Sequence, residues 1–243
     1  MRLIHAATIS TAILILLGTA MISPTFFRTA KPKDRPKVML SFSVLDTVNV
    51  SGWCSELSSI LKTHSAKAAV FITGKVAQQH PECVTVFGDN VDIGSQTYNY
   101  VNLTSISDYT LQLEEVRKGK QAVDNAGKLY SRLFKAPYGF TDDNIYSLLS
   151  RSDIVADFSY DRQYNIFCNG QFIKFDSITY NGSQHSAEFF LSLPKTTELV
   201  IIAFENTTPA ERISELLSKL NMGYIQFVNA SEIAGFNLTL RGG

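Results

Sequence analysis

The chain is poor in the side chains that build metal and nucleophile sites: among 243 residues it holds 4 histidines, 3 cysteines and 1 tryptophan. His5 lies near the N-terminus, His64 at a helix end, His80 before a proline and His185 in a stretch with no clear period. One histidine near a site does not make a zinc centre. Cys54, Cys83 and Cys168 are too scattered for a zinc-binding spacing, and their odd number leaves at least one unpaired; a Cys54 to Cys83 bridge is an open pairing. Net charge is also missing, since 22 basic residues balance 22 acidic ones, so nothing draws the chain to nucleic acid. No glycine-rich loop follows the first apolar strand, which removes the usual dinucleotide role of an α/β sheet.

What is present suits one sizeable core, with 45% hydrophobic and 18% charged residues. Residues 1–23 read as a signal peptide or signal anchor. The apolar stretch over residues 6–22 is near the length that spans a bilayer, and the Gly18-Thr19-Ala20 cleavage candidate lies inside it, which favours an uncleaved anchor. Residues 24–36 form a basic, proline-bearing linker, and residues 37–243 the folded domain. Arg28, Lys31, Lys33, Arg35 and Lys37 would hold that domain in the cytoplasm by the positive-inside rule. Against this stand Asn-x-Ser/Thr acceptors at Asn49, Asn102, Asn181, Asn206, Asn229 and Asn237, which point outside the cell. The expectation is an extracytoplasmic domain, membrane-anchored or secreted.

Residues 37–43, 68–72, 91–93, 133–135, 154–156, 199–204 and 224–227 read as short buried strands, with strand character also at 172–175. Helical spacing separates them: 53–64 with Ser51 as cap, 75–87 despite Pro81, 107–128, 142–150 and 210–220. Buried strands alternating with helices imply parallel strands joined by crossover helices. The expected fold is an α/β barrel of about seven parallel strands, with an open doubly wound sheet as the alternative.

Chemistry in such a fold collects where strands end. The run Val91-Asp92-Ile93 stops at Gly94 and opens into Ser95-Gln96-Thr97-Tyr98-Asn99-Tyr100-Val101-Asn102-Leu103. This stretch resembles the second motif of the polysaccharide deacetylases, the NodB-homology domains of carbohydrate esterase family 4. There a strand ending Ile-Gly leads into Asn-His-Thr-x-x-His-Pro-x-Leu, and the two histidines hold a divalent metal such as zinc. Gln96 and Tyr100 stand at the histidine positions. The family's first motif, Thr-Phe-Asp-Asp-Gly, falls on Ser41-Phe42-Ser43-Val44-Leu45, which puts Ser43 where the resemblance implies the general base and Val44 where it implies a metal ligand. Leu133-Phe134-Lys135-Ala136-Pro137-Tyr138-Gly139 is similar to the third motif, Phe-Arg-x-Pro-Tyr-Gly. Lys135 takes the place of the orienting arginine, and Tyr138 that of the residue whose N–H stabilises the oxyanion. Asp157-Phe158-Ser159-Tyr160-Asp161 matches the fourth motif loosely, and the fifth, with its acid histidine, falls on Phe204 or Glu205.

Valine cannot bind a metal, and glutamine and tyrosine are poor zinc ligands. The expectation is no resident metal or other cofactor. Asp46 and Glu205 are the residues that could rebuild a base or an acid. Tyr98, Tyr100, Tyr138, Phe140 and Tyr160 are expected around the barrel mouth, where aromatic faces beside Gln96 and Lys135 suit a sugar ring. Gln96, Tyr98, Tyr100, Lys135 and Tyr138 are thus the candidate substrate-binding set. The leading functional expectation is a catalytically degenerate deacetylase-like domain, binding envelope or extracellular glycan or serving structurally. The alternative is an active hydrolase on the C–N bond of an N-acetyl sugar, working from a rebuilt site with Asp46, Glu205, Lys135 or His185.

Overall fold

The computed structural model describes residues 36–159, 163–168, 171–193, 199–221 and 225–242. The expected leader and all but the last residue of the linker lie outside these, as does Tyr160. In chain order the elements are β1 (Lys37–Val44), α1 (Val50–Thr63), β2 (Ala68–Ile72), α2 (Gly74–Gln79), α3 (Glu82–Thr85), β3 (Val91–Ser95) and α4 (Tyr109–Gly127). They continue through β4 (Leu129–Ser131), β5 (Leu133–Phe134), α5 (Asp143–Ser150), β6 (Ala156–Asp157), β7 (Gln163–Cys168) and β8 (Gln171–Asn181). The chain then runs through α6 (Ala187–Ser192), β9 (Leu199–Glu205), α7 (Ala210–Asn221), β10 (Gln226–Phe227), α8 (Ala230–Ala234) and β11 (Thr239–Arg241).

β1 bonds to β2 on one side and to β9 on the other, so the sheet closes on itself. Seven strands of the ring, β1, β2, β3, β5, β6, β8 and β9, run parallel among the described residues. The parallel barrel read from the strand-helix alternation is therefore present, and the closing β1–β9 pairing excludes the open sheet. The exception is β7, antiparallel to both neighbours, which forms a hairpin with β8 where the sequence showed no clear period. β10 pairs only with Lys37 and Val38, on the edge of β1 that β2 leaves uncovered.

Alternation along the strands sorts side chains into two layers. Outward residues of β1, Val38, Leu40, Phe42 and Val44, pack with Trp53, Cys54 and Leu57 of α1 and with Ile202 and Phe204 of β9. Inward residues Met39, Ala69, Phe71, Leu133, Leu199 and Ile201 fill the barrel, joined at its base by Val228, Ala230 and Leu238. Asp92 secures that base: its carboxylate accepts from Ser231 N–H at 2.7 Å and Ser231 Oγ at 2.8 Å. Burial raises the Asp92 pKa, against the lowering effect of those Ser231 bonds.

Several local readings differ. Ser51 does not cap α1: Asn49, at φ 60°, holds the N-cap position without a side-chain cap bond, and the Ser51 hydroxyl meets His80 and Glu82. The helix expected over 75–87 breaks at His80 and Pro81 into α2 and α3, because proline has no N–H to continue the ladder. α4 starts from Asp108, whose carboxylate accepts from Thr110 and Leu111 N–H, so the cap is one residue beyond Ser107. A disulfide joins Cys54 of α1 to Cys83 of α3.

Candidate binding site at the barrel mouth

β1, β3, β5 and β9 bring their C-terminal ends together. Gly94 is glycine for a packing reason: a Cβ there would lie 2.5 Å from the Phe71 ring inside the barrel. Past it, Gln96 is 1% exposed and its amide donates to the Phe71 carbonyl at 3.0 Å. Thr97 is fully buried and its hydroxyl accepts from Val101 N–H, which tightens the loop that carries Tyr100.

Ser41 and Lys135 meet across the barrel, with Lys135 Nζ 3.2 Å from Ser41 Oγ. Burial brings the Lys135 amine down to about 7, although the nearby Glu205 carboxylate pulls it back up. Glu205 is in register with Ser43, and the Tyr100 hydroxyl approaches its carboxylate at 3.5 Å. The Tyr100 and Tyr138 rings stand 5.0 Å apart at 51°, with Tyr138 and Phe140 each 56% exposed. Two of these residues hold left-handed backbone, Tyr100 at φ 58° and Tyr138 at φ 60°. Outside glycine that conformation costs about 1–2 kcal/mol per residue. At Tyr138 a turn explains it: Gly139 N–H closes on the Ala136 carbonyl at 3.0 Å, which puts Tyr138 where a turn normally wants glycine and turns its ring to solvent. Strain of this kind gathers at ligand sites.

Not every residue of the expected set faces this mouth. Val44 points outward into the layer under α1, fully buried. Phe204 does the same, its ring stacked on Phe42 at 5.3 Å and 14°, with Gly182 leaving the room it needs. Glu205, one residue on, has the inward register. Asp46 is paired with Lys75 at 2.7 Å on the exposed side of the β1 loop. Tyr98 lies on the barrel's flank, where its hydroxyl donates to Gln78 of α2. His185 stacks on Phe189 at 4.1 Å, in an aromatic group with Tyr180 and Phe190 beside α6. The structure therefore gathers Ser41, Ser43, Gln96, Tyr100, Lys135, Tyr138 and Glu205.

The donor set does not fit the divalent metal that the resemblance implies. Val44 is turned away, the Gln96 amide is bound to the Phe71 carbonyl and the Tyr100 hydroxyl is directed to Glu205. Among the described residues no three His, Cys, Asp or Glu side chains form a group that could hold a metal ion. Sequence reasoning did not single out Ser41, two positions before Ser43 and so on the same strand face. It also passed over Asp157 as a charge. That carboxylate is buried, accepts from Ser159 Oγ at 2.5 Å, and is pushed up to about 6 by burial against the opposing Ser159 bonds.

The family model for polysaccharide deacetylases matches residues 30–156. The chain belongs to the polysaccharide deacetylase family. Solved structures share this family chain's fold at low identity. A putative polysaccharide deacetylase from Mycobacterium smegmatis superposes with TM-score 0.66 at 12% identity, covering 84% of this chain and 91% of that one. The peptidoglycan deacetylase PdaC from Bacillus subtilis gives 0.60 at 14%, covering 83% and 91%. A CE4 family pseudoenzyme from Bacillus anthracis gives 0.59 at 15%, covering 82% and 65%.

Proposed function

We propose that this family member is catalytically degenerate and binds a neutral glycan at the barrel mouth, on a domain displayed outside the cytoplasm. The observation that carries the reading is how the ligand positions are used: Val44 is packed into the outer core and Gln96 is hydrogen-bonded to the barrel's own backbone. What remains at the rim is the Tyr100–Tyr138 pair beside the half-buried Glu205 carboxylate, a surface that can stack on a sugar's C–H face and meet its hydroxyls. The fold is compatible with loss of catalysis, since a pseudoenzyme from Bacillus anthracis shares it.

Two features support display outside the cytoplasm. The buried Cys54–Cys83 bridge suits an oxidising compartment. Asn49, Asn181 and Asn237 are exposed acceptors, whereas Asn206 and Asn229 are buried and used internally, Asn206 on the Leu45 backbone and Asn229 as the cap of α8. The expected anchor at residues 6–22 lies outside the described residues, and among those described no helix is long and apolar enough to cross a membrane.

The enzyme reading has one observation in its favour: Lys135, brought down to about 7, sits beside the Ser41 hydroxyl as a base beside a nucleophile. Ser41 and Lys135 are only 1% and 2% exposed, so a substrate would have to open the barrel to reach them. The test is to incubate the purified full chain with acetylated chito-oligosaccharides and zinc, cobalt or nickel. The proposal expects binding that Tyr138→Ala weakens, with no acetate released. Acetate release that is lost in Lys135→Met overturns it.

A further inference from the structure

A groove of about 610 Å³ on the barrel's flank is lined by Gln78 of α2, by Tyr98 and by Gln121, Ala122, Asn125 and Ala126 of α4. Tyr98 is fixed before any ligand arrives. Its N–H donates to the Glu115 carbonyl and its own carbonyl accepts from Lys75 N–H, both at 3.0 Å. Its ring lies so close over Gly74 that a Cβ there would stand 2.5 Å from Cδ2. An aromatic side chain held this way gives up little freedom when it binds.

The polar side chains that α4 adds to the groove are of the opposite kind. Gln121 and Asn125 are four residues apart on α4, share one face and are exposed. Among the described residues neither amide meets a protein partner. Lys118, which also lines the groove, is paired with Glu114, so its charge is already balanced. A rigid aromatic ring and free amides lining one groove, without a net charge to satisfy, match an uncharged polyol.

We infer that this groove is a second sugar site that takes an uncharged oligosaccharide, one pyranose ring lying against Tyr98 with its hydroxyls bonded to Gln121 and Asn125. Tyr98 and Tyr100 are separated by Asn99 alone, so a polymer held in the groove reaches the rim of the mouth along the same loop. The inference does not depend on the mouth reading.

The test titrates the full chain in detergent with hexa-N-acetylchitohexaose, cellohexaose and maltohexaose by calorimetry. Gln121→Ala with Asn125→Ala removes two hydrogen-bonding amides and is expected to weaken the preferred hexasaccharide about tenfold. Both positions are exposed, so an unchanged melting temperature is expected to accompany the loss. Tyr98→Phe should bind as the parent does, and Tyr98→Ala should lose the site. Unchanged affinity in the double variant overturns the inference, as does failure of all three sugars to bind. Loss in Tyr138→Ala alone, with the double variant unaffected, would leave the mouth reading standing and remove the groove.

Discussion

Ser43 and Val44 are neighbours in the chain, yet they belong to different environments. Val44, with Phe42 beneath it, faces the layer between sheet and helices, a continuous apolar packing that runs from Trp53 to Phe204. Ser43, with Ser41 below it, faces the barrel interior, where a buried amine, a carboxylate and two strained tyrosines converge. The same contrast recurs on β9 between Phe204 and Glu205. A strand's outer face can be kept for stability while its inner face is rewritten, because period-two alternation decouples them. The changes relative to the family motifs fall on both faces, and their physical consequences differ accordingly.

The sharpest way to break this comparison is to place a carboxylate on each face. Val44→Asp buries an unpaired charge in the outer layer and should cost more than about 4 kcal/mol or prevent folding. Ser43→Asp lies beside Glu205, so with Gln96→His and Tyr100→His it should be restored by zinc; at about 100 times the dissociation constant the gain is about 2.7 kcal/mol. Thermal melts with and without zinc decide it, and a zinc-dependent rise in the Val44→Asp version of the triple variant would show the faces to be misassigned. Next in size, Phe204→Ala removes a ring stacked on Phe42 and should lose about 3–5 kcal/mol in urea unfolding.

On the inner side the effects should depend on pH. Lys135 is held at about 7 against an ordinary 10.5, so between those values the unfolded chain binds the extra proton and stability rises with pH. Lys135→Met should flatten that rise and stabilise the protein at and below pH 7 by on the order of 3 kcal/mol. Asp157 has the opposite sign. Its folded pKa, about 6 against 3.8, means the native state holds the proton longer, so its contribution falls as pH rises across that window. Asp157→Asn keeps the acceptor for Ser159 and should remove on the order of 2 kcal/mol of that pH dependence. Denaturant midpoints at several pH values separate the two.

The barrel was legible because its buried strands are unbroken apolar runs, Val38 to Phe42 and Leu199 to Phe204 above all, set between amphipathic helices. Of the β7–β8 hairpin only residues 172–175 were, since its strands carry no clean period, and α8 and β11 were not, being too short to show one. The site was legible as positions along the chain and only partly as directions. Motif alignment located Gln96, Tyr100, Lys135 and Tyr138, but the side of the sheet on which Val44 and Phe204 lie is set by register with β2 and β9. Tyr98, expected at the mouth, lies on the flank for a similar reason: its loop is pinned to α4 through Glu115, a tertiary contact that no local pattern announces.

The pairing of β1 with β9 has a kinetic consequence. Leu45 and Asn206, which bond just past that seam, are 161 residues apart in sequence. Closing so long a loop brings no reward until both strands are in place, and topologies dominated by such contacts fold slowly. The edge of β1 that faces β9 must therefore wait unpaired while β1, β2 and their helices assemble, and refolding after dilution from urea is expected to show its slowest phase in a fluorescence change at Trp53, which packs under that seam and donates to the Thr208 carbonyl.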